Sequence, residues 1–303
     1  MLSKLYSIYP EVKITFDEAS YALGYDLWDL VQKGTKTELN KTYKTQPALL
    51  ASTVSIWRIW RNIGGNIPKF MSGHSHGEYS ALVCSGSLNF IEAIKLVEFR
   101  GKLMQEAVPI GIGAMSVIIG LKLDIIYYIC KNINNENMVV EPVIFNTLNQ
   151  VVVSGHKLAV QKAEIDSIKA GAKKIFRLSV SVPSHCILMK SVSKKFSEKL
   201  KTLSILTPKI PIINNVDVRI ERDPIFIKNA LVRQIYNPVR WNDIIKYFLK
   251  NRIQMLLEMG PGNILTNFIK KNNNYTLKVI AINDHISLKT AIQNQNFWRK
   301  NEF

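Results

Sequence analysis

Long apolar runs are missing from this chain of 303 residues. A membrane-spanning helix needs roughly 20 consecutive apolar residues, whereas the longest candidate here, 115–130, is interrupted by Lys122 and Asp124. The first residues also lack the apolar stretch of a secretory signal peptide. We therefore expect a cytoplasmic protein that makes no contact with membranes.

Cysteine is scarce, with only Cys84, Cys130 and Cys186 in the whole chain. An odd number of widely separated cysteines gives neither a disulfide framework nor the close spacing of a metal site. We expect all three to be reduced thiols packed in the interior, and we expect neither a metal ion nor a bound cofactor.

Acidic residues are also few: 23 Asp and Glu stand against 40 Lys and Arg, a net charge of +17. The lysines are scattered, and no zinc finger, basic zipper or RNA-binding aromatic motif accompanies them, so we expect no nucleic acid partner. Two explanations remain. Codons rich in A and T would produce the abundant Ile, Asn and Lys, or the charge serves an acidic partner or a phosphate-bearing ligand.

The spacing of apolar residues divides the chain into three parts. Alternating helices and strands in 1–110 and 178–290 predict one discontinuous α/β core with a mostly parallel sheet. Between them, 111–177 follows the order β-α-β-β-α-β, which is typical of a ferredoxin-like α+β subdomain. A polar tail, 291–303, completes the chain.

The most informative motif is Gly73-His74-Ser75-His76-Gly77, which fits the pattern Gly-x-Ser-x-Gly. It lies between an apolar approach, 67–71, and a helix-like run, 79–84, the strand–turn–helix context of a nucleophile elbow. Ser75 would then stand at a helix N-terminus, where free N–H groups favour negative charge. The alternative is an ordinary turn in which Ser75 caps a helix.

A serine nucleophile needs a base, and five histidines are available: His74, His76, His156, His185 and His285. The first two flank the serine, so at a sharp turn they point away from its hydroxyl. We expect His156 to be a surface or capping residue, and His285 lies in the polar C-terminal region. His185 lies where the predicted insert returns to the core and would line a cleft, so it is the candidate base, unless it is a structural histidine.

Residues 73–84 resemble the elbow of the malonyl-CoA:acyl carrier protein transacylase family of bacterial fatty-acid biosynthesis. Five further segments agree with that family in order and spacing: Thr45–Ala48, Arg100–Gln105, Val182–His185, Asn214–Asp217 and Gly260–Gly262. The resemblance runs from about residue 5 to about residue 285. It implies a hydrolase-like, mostly parallel sheet core with an inserted ferredoxin-like subdomain, in agreement with the spacing.

The resemblance also implies the roles of individual residues. Ser75 would carry the malonyl group as an ester, and His185 would act as general base and then acid. The backbone carbonyl of Gln234 would orient His185 in place of a carboxylate, and the backbone N–H of His76 would help to form the oxyanion hole. Malonyl-CoA would be the substrate, acyl carrier protein the partner, and the protein a monomer.

Arg100 has a physical reason to bind malonyl, because a guanidinium grips a carboxylate bidentately. The same cation, left unpaired, would reject an acetyl group. Gln46 resembles a glutamine of the family that lines the pocket for the malonyl group. Without the resemblance, Arg100 would be assigned to a solvent-exposed helix face and Gln46 to the exposed start of a helix.

Two departures from the family qualify these expectations. The family's first strand and Gly-Gln-Gly-Ser-Gln loop, which supplies one oxyanion donor, precede the point that Tyr9-Pro10 matches. Loss of one donor costs roughly 10²–10³ in rate. We expect a start codon assigned too far downstream rather than a decaying gene, because the later motifs are intact. In addition, His76 replaces a leucine-like residue.

Two other functions remain compatible with the motifs. A serine hydrolase of small esters or thioesters would use the same elbow, but one that acts on neutral esters has no use for Arg100. A truncated, non-catalytic relic could still bind the carrier protein.

Overall fold

The computed structural model describes residues 1–109, 111–180, 182–271 and 277–300, and within them the chain is mixed α/β. The helices are α1 (Ser3–Tyr6), α2 (Pro10–Leu23), α3 (Leu27–Lys33), α4 (Lys36–Leu39), α5 (Thr42–Asn62), α6 (Gly77–Cys84), α7 (Phe90–Glu106), α8 (Leu123–Ile133), α9 (Lys157–Lys169), α10 (Lys190–Lys201), α11 (Pro224–Gln234), α12 (Trp241–Lys250), α13 (Ile264–Lys270) and α14 (His285–Lys300). The strands are β1 (Gly113–Ile119), β2 (Val140–Thr147), β3 (Gln150–His156), β4 (Lys174–Arg177), β5 (Met255–Met259) and β6 (Lys278–Ile282), and a 3-10 helix spans Ile187–Met189. The mixed α/β class predicted from the sequence is confirmed.

Strands β1 to β4 form one antiparallel sheet in the order β2-β3-β1-β4. Strand β1 is buried on both faces because its side chains alternate between two apolar clusters. Ala114 and Ile118 pack with α8 and α9, whereas Met115 and Val117 face the cluster that contains α12. This arrangement fixes the four-stranded sheet against the rest of the chain.

The remaining strands are parallel but short. Strand β5 pairs with β6 from Met255↔Lys278 to Met259↔Ile282. The apolar run 210–214, whose composition predicts a strand, makes only one parallel bridge with the approach to Ser75, Met71↔Ile212. Pro68 and Pro211 have no N–H to donate, which limits the ladder that these two segments can form.

A cavity of about 820 Å³ adjoins both the approach to Ser75 and β5. Its lining includes Phe70 and Met71 before the elbow, and Leu256 and Leu257 of β5. Gly73, His74 and His76 also contact this cavity, but its lining among the described residues includes neither Ser75 nor His185. The cavity therefore lies beside the elbow and is distinct from the space around the Ser75 hydroxyl.

Helices α2, α5 and α7 pack together into the largest apolar cluster. The apolar spacing predicts a helix over 47–63; α5 begins earlier, at Thr42, and buries Leu50, Val54 and Trp60. None of the helices in the described ranges has the length and hydropathy of a membrane span.

The structure adds two elements near the C-terminus that the sequence did not indicate. Strand β6 is a short apolar run in a region rich in asparagine and glutamine, and in α14 the polar composition masks the helical spacing. Leu288 and Ala291 of α14 are nonetheless fully buried. Residues 301–303 of the predicted polar tail lie outside the described residues.

Candidate active site

Ser75 occupies a strained turn between the Met71 bridge and the start of α6. Its φ is 53°, in the left-handed region that costs a non-glycine residue energy. A Cβ on Gly73 would lie 1.9 Å from the carbonyl carbon of Gly77, so only glycine fits there. A Cβ on Gly77 would meet no atom within 4 Å, so only the first of the two glycines is required sterically.

The Ser75 hydroxyl and the His185 imidazole meet, although 110 positions separate them in the chain. Ser75 Oγ lies 2.7 Å from His185 Nε2, and His185 Nδ1 lies 2.8 Å from the carbonyl oxygen of Gln234. If Nδ1 donates its proton to that carbonyl, Nε2 is the acceptor and faces the serine. The backbone carbonyl thus sets the tautomer that a general base needs.

Burial keeps this imidazole neutral. His185 is 2% exposed, and desolvation, reinforced by the charge of Arg100, lowers its pKa to about 3. The backbone of His185 has a φ of 65°, and its backbone N–H donates to the carbonyl of Ile235 at 3.1 Å. A neutral imidazole beside a hydroxyl can remove its proton.

Arg100 is a buried cation on α7 and is only 1% exposed. Its Nη1 donates to Gln46 Oε1 at 2.8 Å and its Nη2 to Gln234 Oε1 at 3.2 Å. Nε–H has no partner among the described residues. Because burying a charge without a counterion is costly, this arrangement suits the binding of an anion.

Burial contradicts the two alternatives that the sequence left open for this pair. Arg100 does not lie on a solvent-facing helix surface, and Gln46, 5% exposed, is not an exposed helix start. The Arg100 guanidinium also lies 5.5 Å from the centre of the Tyr79 ring, within the range of a cation–π contact. Both predicted pocket residues are therefore part of one buried network.

His76 precedes α6 directly, and its backbone N–H has no acceptor among the residues that the structure describes. Such an unpaired donor at a helix N-terminus can stabilise an oxyanion. Burial lowers the pKa of the His76 side chain to about 3, and the charge of Arg100 acts in the same direction. Its ring is therefore neutral at neutral pH.

The other histidines are placed elsewhere. His74 Nε2 lies 3.0 Å from Asn146 Oδ1 and so connects the elbow to β2. His156 Nδ1 accepts from the N–H of Val139, rather than capping α9. The ring of His285 pairs with the Tyr9 hydroxyl at 2.8 Å.

Sequence reasoning missed two residues of this network, Asn215 and Glu78. Asn215 Oδ1 accepts from the N–H of Ser75 at 2.7 Å, and its Nδ2 donates to the carbonyl of Gly73 at 2.7 Å. Glu78 Oε2 accepts from the Asn215 N–H and from Gln234 Nε2. Asn215 belonged to a matching segment without an assigned role, and Glu78 was read only as part of the elbow.

The model of the acyl transferase domain family matches residues 13–292. Among curated proteins, the malonyl CoA-acyl carrier protein transacylase of Salmonella typhimurium is 49% identical, over 96% of this chain and 94% of that protein. The protein of the same name from Bacillus subtilis is 36% identical, over 97% of this chain and 92% of its own length.

Solved structures give the same result. A malonyl-transacylase in complex with its type II PKS acyl-carrier protein matches with a TM-score of 0.95 and 52% identity, over 97% of this chain and 94% of that chain. An acyl carrier protein S-malonyltransferase from Vibrio cholerae matches with a TM-score of 0.92 and 50% identity, over 96% and 94% of the two chains.

Proposed function

Because the chain belongs to the acyl transferase domain family, we propose that it transfers a malonyl group from coenzyme A to the phosphopantetheine thiol of acyl carrier protein, a step of fatty-acid biosynthesis. One observation carries the proposal: a serine–histidine pair at 2.7 Å adjoins a buried cation. Gln234 connects them, since its side chain contacts both Arg100 and the carbonyl of Ser75.

The first half-reaction forms the ester. His185 Nε2 takes the proton of the Ser75 hydroxyl while Oγ attacks the thioester carbonyl of malonyl-CoA. The backbone N–H of His76 donates to the oxyanion that develops on the carbonyl oxygen. As the intermediate collapses, the carbon–sulfur bond breaks and His185 gives its proton to the departing thiolate.

The second half-reaction reverses these roles. The thiol of the carrier's phosphopantetheine gives its proton to His185, and the sulfur attacks the malonyl-serine carbonyl. The bond between the acyl carbon and Ser75 Oγ then breaks, and His185 returns the proton to the serine. No group besides the two thiols, the serine and the histidine is needed to balance the protons.

Arg100 accounts for the choice of acyl group. A guanidinium has five N–H donors, and the amide oxygens of Gln46 and Gln234 occupy two of them. The remaining donors, including Nε–H, can bind the free carboxylate of malonyl. A hydrolase of neutral esters would leave this buried cation without a ligand, which makes that alternative less suited to the site.

Charge supports the proposed partners. A net charge of +17 favours the approach of coenzyme A, which carries phosphates, and of an acidic carrier protein. We propose that the protein acts as a cytoplasmic monomer. We further propose that 111–177, which contains β1 to β4, is an insert in a core made of 1–110 and 178–290.

Mass spectrometry of the intact protein after mixing with malonyl-CoA tests the proposal. We expect a malonyl adduct on the native chain, its removal by acyl carrier protein, and no adduct on Ser75→Ala. A folded native chain that forms no adduct would refute the transfer reaction and favour the relic. An adduct lost to water as fast as to the carrier thiol would favour the hydrolase.

A further inference from the structure

Glu78 is a buried carboxylate to which the two-step reaction above assigns no role. It lies three residues after Ser75, in the first turn of α6, and is 4% exposed. One of its oxygens, Oε2, accepts two hydrogen bonds, from the Asn215 N–H at 3.0 Å and from Gln234 Nε2 at 2.8 Å. Each of these donors lies in a segment that contacts one member of the serine–histidine pair.

The segment of Asn215 contacts the nucleophile, Ser75. The Asn215 side chain binds both sides of the elbow, because it accepts from the Ser75 N–H and donates to the carbonyl of Gly73, each at 2.7 Å. Ser75 has a φ of 53°, which a serine does not adopt without compensating contacts. The Asn215 amide supplies such contacts, and its own backbone is fixed by Glu78.

The segment of Gln234 contacts the base, His185. The backbone carbonyl of Gln234 accepts from His185 Nδ1 at 2.8 Å. Gln234 Nε2 donates to Glu78 and also contacts the carbonyl of Ser75 at 3.1 Å. A shift of Gln234 would therefore move the imidazole relative to the hydroxyl.

We propose that Glu78 is a positioning residue that fixes Ser75 Oγ and His185 Nε2 at hydrogen-bonding distance by joining Asn215 to Gln234. The inference rests on the proposed function, in which this pair carries the reaction. Because both donors converge on one oxygen, the positioning role requires an acceptor at this place and does not require a charge. Burial raises the pKa of Glu78 to about 7, so an appreciable fraction of the protein carries the neutral acid, whose carbonyl oxygen also accepts.

The rate at which a neutral fluorophosphonate labels Ser75 measures how reactive the Ser75 hydroxyl is with His185 as its base. This assay does not require malonyl-CoA. The serine oxygen bonds to phosphorus, fluoride leaves, and His185 takes the hydroxyl proton. We expect Glu78→Ala to slow labelling by about 100-fold, because misplacement of a reacting group by about 1 Å has that effect. Glu78→Gln, which keeps an oxygen at the same place, should retain the rate within a factor of about 3.

Glu258→Ala is the matched control. Glu258 also accepts two hydrogen bonds from backbone N–H groups, those of Leu265 at 3.0 Å and Thr266 at 2.7 Å, but these only fix the start of α13. We expect Glu258→Ala to lower thermal stability and leave labelling unchanged. In turnover assays, Glu78→Ala should lower kcat with little change in the KM for malonyl-CoA.

Each outcome separates the two hypotheses. If Ser75→Ala or His185→Ala labels at the native rate, the proposed function fails. If both abolish labelling while folded Glu78→Ala labels at the native rate, only the positioning role fails. Slow labelling of Glu78→Gln, equal to that of Glu78→Ala, would overturn it too, because the charge would then matter. Should Glu78→Ala not fold, Glu78→Met, which fills the space without an acceptor, takes its place.

Discussion

Replacing Arg100 by alanine should remove the preference for an acyl group that carries a carboxylate. The guanidinium is almost fully buried, and its hydrogen-bond acceptors among the described residues are the amide oxygens of Gln46 and Gln234. A substrate carboxylate would therefore be the first anion to bind this cation directly. An acetyl group has no such anion and leaves the cation unpaired in both the free and the acylated protein.

The magnitude follows from the bonds that the carboxylate would form. A hydrogen bond to a charged group contributes roughly 1.5–3 kcal/mol, and a bidentate grip makes two. Desolvation of the carboxylate offsets part of this sum, so we take about 3 kcal/mol as the net loss in Arg100→Ala. That corresponds to a decrease on the order of 10²-fold in kcat/KM for malonyl-CoA.

The assay compares kcat/KM for malonyl-CoA and acetyl-CoA in the native protein and in Arg100→Ala. We expect the malonyl value to fall and the acetyl value to stay level or rise, so that the ratio collapses. Arg58→Ala is the matched control: Arg58, on α5, pairs with Glu18 at 2.8 Å and belongs to no part of the site. If Arg100→Ala is folded and its ratio of malonyl to acetyl kcat/KM equals that of the native protein, carboxylate recognition by Arg100 is refuted.

Two further predictions concern the elbow and the base. Gly73→Ala should destabilise the protein by about 1–3 kcal/mol, because its Cβ would overlap Gly77, whereas Gly77→Ala should change the free energy of unfolding by less than about 0.5 kcal/mol. Urea denaturation measures both, and equal losses would contradict the steric reasoning. Because burial lowers the pKa of His185 to about 3, its imidazole stays neutral above that pH, so fluorophosphonate labelling should not vary between pH 8 and pH 5. A fall centred near pH 6.5, the value of an exposed histidine, would show that the ring is solvated.

The parts of the fold that the sequence predicted are those with strong apolar spacing. The apolar spacing predicts a helix over 241–250, and α12 begins at Trp241 and ends at Lys250. The alternation of β and α across 113–177 also follows the apolar pattern. The segments 67–71 and 210–214 differ, because apolar composition indicates a strand while hydrogen bonding depends on a neighbour and on prolines. Helix α14 was missed because its many polar residues conceal which positions are buried, and β6 because it is a short apolar run beside asparagine-rich segments.

A motif or a resemblance singled out Ser75, His185 and Arg100, and the structure brings these three residues into one buried network. Asn215 lies in a loop, where no helical or strand period indicates the direction of a side chain. Its contact with the Ser75 N–H depends on the meeting of segments 140 positions apart. A long-range contact of this kind follows from the folded chain and not from local spacing.

Helical phase nevertheless contains a signal for the buried charges. On α7, Arg100 follows Ala93, Leu96 and Val97 at intervals of seven, four and three, so it lies on the apolar stripe that the helix buries. On α6, Glu78 precedes the buried residues Ala81 and Leu82 by three and four positions, so it also lies on a buried apolar stripe. Folding does not favour a charge on such a stripe, since its desolvation costs free energy that an apolar side chain would not. The buried cation and the buried carboxylate on these two stripes, joined by the amide of Gln234, are therefore in keeping with the binding and positioning roles proposed for them.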